Sequence, residues 1–354
     1  MFDFTSLRFR FVIFIEWNRL DGVRQMNALF LPIMSHRSTA PTAPQNHRDN
    51  RDSASHPPCH AIHHEIMTTT AQQAAHVARR KFFVSIAGEN QNALFPFLIE
   101  NDLRVKASLT SSTLYHYTTP LPPLPAPPPT EATTAATPAI AKCPIRVINL
   151  DSFDLAEQLF LEGKQNITVL NMASSTTPGG GYLSGATAQE EALCRRSTLH
   201  LTIRRQRNFH PIPPHGAIFS PDVLVLRTSD DTSCQLLPPS SRWWTSVISA
   251  AAIKGPPVRD EEFVRPEDVE STRERIRTVL RVACAEGKRN LVLAAMGCGA
   301  FRNPPRAVAR LFRGVLVEEQ EFRGRFEGVW FAVIERGGTG NYAIFKEILD
   351  GLEI

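Results

Sequence analysis

The residues best suited to chemistry lie between Asn171 and Glu191, in the stretch NMASSTTPGGGYLSGATAQEE. Gly179, Gly180 and Gly181 follow an apolar run from Ile167 to Met172. Eight residues after the last of them, Gln189, Glu190 and Glu191 open a segment with helical character. Consecutive glycines bare the main chain for close approach by a ligand, and a helix start brings acid groups to the same place. Adjacent glutamates diverge by about 100° around a helix. They therefore cannot face each other across a substrate as the two carboxyls of an ordinary glycosidase do. One is expected to protonate a leaving group while the other holds sugar hydroxyls. The bland alternative is a pair of first-turn acids complementing the helix dipole. Such acids do not need open backbone beside them, and the glycines favour the chemical reading.

A second glycine-bearing loop, Gly297-Cys298-Gly299-Ala300-Phe301-Arg302-Asn303, follows an apolar strand from Asn290 to Ala295 and precedes a helix with Pro304 near its first turn. Proline suits a position whose amide lacks a helical partner. Small residues ahead of a helix expose free amides at its positive end, which favours a phosphate over a mere tight turn. The dinucleotide fingerprint fails, because Arg302 stands where its last glycine belongs, and neither loop ends in the Gly-Lys-Ser or Gly-Lys-Thr of a nucleoside-triphosphate loop. Cys298 has no histidine near it in sequence to activate it, so a small side chain filling the turn is the expected role.

Short apolar segments alternate with amphipathic ones around these loops. Strands are expected at 145–150, 167–172, 217–226, 244–252, 290–295 and 329–335. Helices are expected at 72–98, 153–162, 189–204, 266–286, 304–317 and 341–352, and an extended piece is expected to lead to Tyr115. This alternation indicates an α/β fold with a sheet covered on both faces, where ligands bind at the carboxyl ends of strands. Both glycine loops fall there.

The 354 residues carry a net charge of +4, most of it near the start: residues 1–80 hold 9 Arg against 6 Asp or Glu, leaving the rest within one charge of neutral. No concentrated basic face for direct nucleic-acid binding is expected. Six scattered cysteines without a CxxC pair, and no apolar run long enough for a membrane span, suit an intracellular protein, cytoplasmic or nuclear. Residues 1–70 lack sustained periodicity and are expected to be a disordered leader. His56, Cys59, His60, His63 and His64 fall there, without a folded frame to make a metal site. Residues 71–354 are expected to form the folded domain, interrupted at 118–140 by a proline-rich polyproline-type spacer.

The glycine triplet followed by QEE, within VLNMASSTTPGGGYLSGATAQEEALCRRS, resembles the microbial-type poly(ADP-ribose) glycohydrolases. The similarity continues through AIFSPDVLVLR, VISAAA and LVLAAMGCGAFRNPP. It implies a macrodomain-like three-layer α/β/α sandwich with a mixed sheet and ADP-ribose in a cleft at its crest. The implied activity is hydrolysis of the ribose–ribose bond of poly(ADP-ribose), or of polymer on ADP-ribosylated proteins, releasing ADP-ribose without metal or cofactor. Glu191 would be the general acid and then the base, Glu190 would hold ribose hydroxyls, and Gln189 would support that pocket. By the same resemblance Asn171 and Ala173 would line the distal ribose and Gly179–Gly181 would pass beneath it and the diphosphate. Gly297, Cys298, Gly299, Ala300 and Phe301 would hold the diphosphate from the other side, with Phe301 packing on ribose. Met172, Tyr182 and His200 depart from the family pattern without touching the QEE triplet. Two other readings share the cleft: a binding module that holds ADP-ribose uncleaved, and a hydrolase of another ADP-ribosyl linkage.

Overall fold

The computed structural model describes residues 11–20, 23–32, 59–116, 142–204, 208–335, 338 and 340–354, with side chains from residue 72 onward. Most of the expected leader and all of the expected proline spacer lie outside these residues. Phe11–Leu20 (β1) and Val23–Pro32 (β2) pair antiparallel and belong to a unit of their own.

The larger unit starts at His63, within Cys59–Glu89 (α1), and continues through a π-helical turn over Asn90–Leu94 and Phe95–Asn101 (α2). An extended piece was expected next, but a further helix, Leu103–Ser108 (α3), intervenes. Asp102 nucleates it by accepting from the Arg104 and Val105 amides. There follow Thr113–Tyr115 (β3), Ile145–Ile148 (β4), Ser152–Leu161 (α4), Ile167–Met172 (β5), Gln189–Arg196 (α5) and Leu199–Arg204 (α6). The chain continues through Ala217–Val225 (β6), Trp243–Ala250 (β7), the short pair Val258–Arg259 (β8) and Glu262–Phe263 (β9), and Pro266–Ala285 (α7). Asn290–Leu293 (β10), Pro305–Arg313 (α8), Gly328–Ala332 (β11) and Asn341–Leu349 (α9) complete it. The single helix expected over 189–204 is broken at Ser197, whose backbone is extended. Its hydroxyl donates to the Leu193 carbonyl and accepts from the Leu199 amide, ending one helix and starting the next.

Seven strands form one mixed sheet in the order β3-β6-β7-β5-β10-β11-β4. β6 runs antiparallel to both its neighbours, and β7, β5, β10, β11 and β4 are parallel. Alternate residues of each strand feed opposite layers. Leu170, Leu291, Leu293 and Phe331 meet the apolar faces of α7, α8 and α9, while Val169, Val292 and Val247 meet those of α4, α5 and α6. In β6 a bulge between Ser220 and Val223 reverses the alternation, so that Ile218 and then Val223 and Val225 face the same layer. The result is the three-layer α/β/α sandwich expected. The topology also settles what positions the site. β5 and β10 are adjacent and parallel, so the two glycine loops that follow them emerge side by side.

Candidate active site

α5 starts from an extended Ala188 that offers no side-chain cap. Its acids reach instead to the glycine loop and the end of β5. Glu190 Oε2 accepts from the Ser174 amide at 2.7 Å. Its Oε1 accepts from the Gly179 amide at 3.2 Å and lies 3.5 Å from Asn171 Nδ2. Glu191 Oε1 accepts from the Gly181 amide at 2.8 Å, while its Oε2 is buried with no hydrogen-bond partner. Both residues are almost wholly buried, at 3% and 7% exposure. Gln189 turns its amide into the protein: Oε1 accepts from the Met172 amide, and Nε2 donates to the Leu170 carbonyl and Ser152 Oγ. Both amide protons and the carbonyl oxygen are used, so Gln189 latches α5 onto the end of β5.

The three glycines do different work. Gly180 has φ +56, and a Cβ there would lie 2.5 Å from Glu191 Oε1 and 2.9 Å from Glu190 Oε2. Only a bare residue lets the loop pass over both carboxylates. Gly179 lies on the His200 ring, where a Cβ would stand 2.9 Å from Cδ2, and Gly181 abuts Ala186. The second loop is pinned by Asn303, whose Nδ2 donates to the Ile253 carbonyl at 2.7 Å and the Gly297 carbonyl at 3.2 Å. Gly299 is exposed, with open space where its Cβ would be.

Between the loops lies a cleft of about 370 Å³. Of the residues singled out from sequence, Ala173, Gly180, Gln189, Glu190, Glu191, Gly297, Gly299, Ala300 and Phe301 line it. Asn171, Gly179 and Gly181 lie behind this lining, where Asn171 and Gly179 meet Glu190 and Gly181 meets Glu191. Cys298 packs its side chain against the α7–α9 layer, and burial pushes its thiol well above the ordinary range, as befits a filling residue. The far wall, with Asp151, Ser152, Ala332, Val333, Ile334 and Asn341, escaped the sequence reading. Most of it follows the ends of β4 and β11, so the rule that ligands gather at strand carboxyl ends was its available signal. Asp151 caps α4 through the Phe153 amide and accepts from Arg196 Nη1, which joins this wall to α5. Among the described residues no group of three His, Cys, Asp or Glu side chains is placed to hold a metal ion.

Glu190 is electrostatically unusual. Burial pushes its carboxyl from 4.5 up to about 8, with the neighbouring Glu191 adding to the rise and the Ser174 amide opposing it. The native state therefore holds this proton more tightly than the unfolded chain does. The associated stability is complete below the unfolded pKa of 4.5 and is lost as pH climbs through about 8. Thermal melts across that window should show the wild type losing Tm relative to Glu190→Gln as pH rises. Curves that stay parallel would contradict a raised carboxyl.

Fold and cleft together define an α/β protein in which bare main chain from two neighbouring turns faces a buried acid. The family model for the microbial-type PARG catalytic domain matches residues 71–228. Among solved structures, poly(ADP-ribose) glycohydrolase from Thermomonospora curvata is 29% identical, covering 76% of this chain and 98% of its own, with a TM-score of 0.60. The same enzyme bound to the inhibitor ADP-HPD superposes with a TM-score of 0.59 at 27% identity, over the same shares of the two chains. A mutant of the Deinococcus radiodurans enzyme in complex with ADP-ribose is 33% identical, covering 58% of this chain and 84% of its own, with a TM-score of 0.51. No curated protein matches the sequence. The chain belongs to the microbial-type poly(ADP-ribose) glycohydrolase family and is an enzyme of that class. Among the described residues, no helix is long and apolar enough to cross a membrane.

Proposed function

We infer that this enzyme cleaves the ribose–ribose O-glycosidic bond of poly(ADP-ribose) with Glu191 as its acid and base, holding ADP-ribose in a macrodomain-like cleft between the two glycine loops. The observation that carries the residue assignment is the division of labour between the glutamates. Both oxygens of Glu190 are engaged, whereas Glu191 keeps one oxygen, Oε2, without a partner. A buried carboxylate oxygen left unpaired is costly, and a proton shared with a substrate oxygen satisfies it.

In this reading the main chain of Gly179–Gly181, whose amides are already given to Glu190, the Thr177 carbonyl and Glu191, passes beneath the ribose and diphosphate. The loop Gly297–Phe301 holds the diphosphate from the other side, and Phe301 packs on ribose. Glu191 gives its proton to the departing ribose oxygen as the bond from the anomeric carbon breaks, the bonding pair leaving with that oxygen. Water then attacks the anomeric carbon and returns a proton to Glu191, releasing ADP-ribose and restoring the acid. Glu190, its carboxyl raised to about 8 by burial, holds ribose hydroxyls in its protonated form. The scheme needs no metal, and the five free cysteines among the described residues suit an intracellular setting.

Labelled poly(ADP-ribose) and a mono-ADP-ribosylated protein, each incubated with the enzyme, test this reading, with calorimetry against free ADP-ribose alongside. Release of ADP-ribose from the polymer in the presence of a chelator is the expected result. Binding without release would make the chain a reader, and release from the modified protein alone would reassign the linkage.

A further inference from the structure

The helical segment before the sheet contains one irregularity, the π-helical turn Asn90–Leu94 between α1 and α2. Turns of this kind are rare and concentrate at functional sites. Asn90 is fully buried, and its side chain is completely engaged. Its Nδ2 donates to Tyr182 Oη at 3.1 Å and to the Arg195 carbonyl at 2.9 Å, and its Oδ1 accepts from Arg227 Nε at 2.9 Å. Tyr182 directly follows the glycine triplet, and its amide donates to the Gly179 carbonyl at 3.0 Å. Arg195 lies in the last turn of α5, the helix that carries both glutamates. One amide group thus grips the glycine loop and the catalytic helix at once.

The next residue does related work. Gln91 Nε2 lies 3.0 Å from His200 Nδ1, and burial lowers that imidazole to about 4, so the neutral ring accepts the bond. The His200 and Tyr182 rings pack with centroids 4.9 Å apart, directly under Gly179. Tyr182 and His200 are also two of the residues expected to depart from the family pattern. They form a tilted pair that the π turn supports from outside the sheet.

We propose that Asn90 is a positioning residue for the hydrolysis, setting the height of the glycine loop against α5 so that the Gly181 amide holds the Glu191 carboxyl in its reactive orientation. The proposal rests on the assignment of Glu191 made above. It predicts a larger effect on turnover than on ligand binding, because neither Asn90 nor its hydrogen-bond partners Tyr182, Arg195 and Arg227 line the cleft.

The test uses the full chain with three substitutions. Asn90→Asp keeps an acceptor for Arg227 and for the Tyr182 hydroxyl but sets an oxygen against the Arg195 carbonyl, Asn90→Ala loses all three bonds, and Tyr182→Phe removes a single hydroxyl from a ring that stays in place. For each, kcat and KM on poly(ADP-ribose), the Kd for ADP-ribose and the Tm are measured. The expected result is a fall in kcat of about 10- to 100-fold for Asn90→Asp and a smaller fall for Tyr182→Phe, as sub-ångström misplacement of a catalytic group produces. ADP-ribose affinity should fall by less than kcat does, because in this reading the loop Gly297–Phe301 also holds the diphosphate. A kcat per folded molecule equal to wild type in Asn90→Asp and Tyr182→Phe, with only Tm lowered, would overturn the proposal and leave Asn90 a purely structural residue. Wild-type failure to release ADP-ribose from polymer would instead strike the assigned function, so the two failures are separable.

Discussion

Glu191→Gln should leave ADP-ribose bound and the polymer uncut. The substitution preserves shape almost atom for atom: the amide oxygen still accepts from the Gly181 amide where Oε1 does now, at 2.8 Å. What disappears is the exchangeable proton at the position of Oε2, the oxygen with no partner in the protein. Losing a positioned general acid and base costs about 10²- to 10⁴-fold, so kcat should fall by that factor while the calorimetric Kd for ADP-ribose changes by no more than about threefold. Glu190→Gln should be milder. Its carboxyl already holds a proton near neutral pH, and the variant keeps an acceptor for the Ser174 amide. Full activity in Glu191→Gln, or a larger loss in Glu190→Gln than in Glu191→Gln, would reverse the roles of the two residues.

The residues that the two loops and α5 bring together were legible because their signals are local. Three glycines, two acids at a helix start and a second small-residue loop before a proline each stand within a few positions of sequence. Strand order is not local. Nothing in the runs 167–172 and 290–295 says that they pair, yet that pairing brings the loops together. The same limit hid the far wall, since Ala332 and Val333 read as the tail of any apolar strand. Ser197 ends α5 through its own hydroxyl, a competition with the helix that periodicity does not register. Cys298 read as part of a ligand-holding loop, but the turn points its side chain into the α7–α9 layer. The π turn at Asn90 is the clearest gap between sequence and structure. The helical pattern over 72–98 shows no break, and the irregularity becomes explicable only when Tyr182 and Arg195, about a hundred residues away, are seen beside it.

Gly180→Ala and Gly299→Ala form a matched pair that separates two reasons for glycine in a binding loop. At Gly180 the backbone has φ +56, where an L side chain costs about 1–2 kcal/mol, and the new methyl would stand 2.5 Å from Glu191 Oε1. The carboxylates beneath cannot both retreat: Glu191 Oε1 is tied to the Gly181 amide, and Glu190 to the Ser174 amide. The methyl must therefore lift the loop or turn Glu191 away, and a misplacement on the order of 1 Å at a catalytic group costs about 10²-fold. Gly180→Ala should lower kcat by that amount and lower stability with it. Gly299 has neither constraint, since nothing lies within 4 Å of its Cβ position and its φ is outside the left-handed region. Its substitution should leave Tm unchanged. The added methyl projects from the cleft rim, where the diphosphate would pass, so KM should rise while kcat is largely kept. Steady-state kinetics and thermal melts on the two variants decide the matter. Wild-type kcat in Gly180→Ala would mean that Glu191 acts from some other orientation. An unchanged KM in Gly299→Ala would mean that the ligand does not run along the second loop.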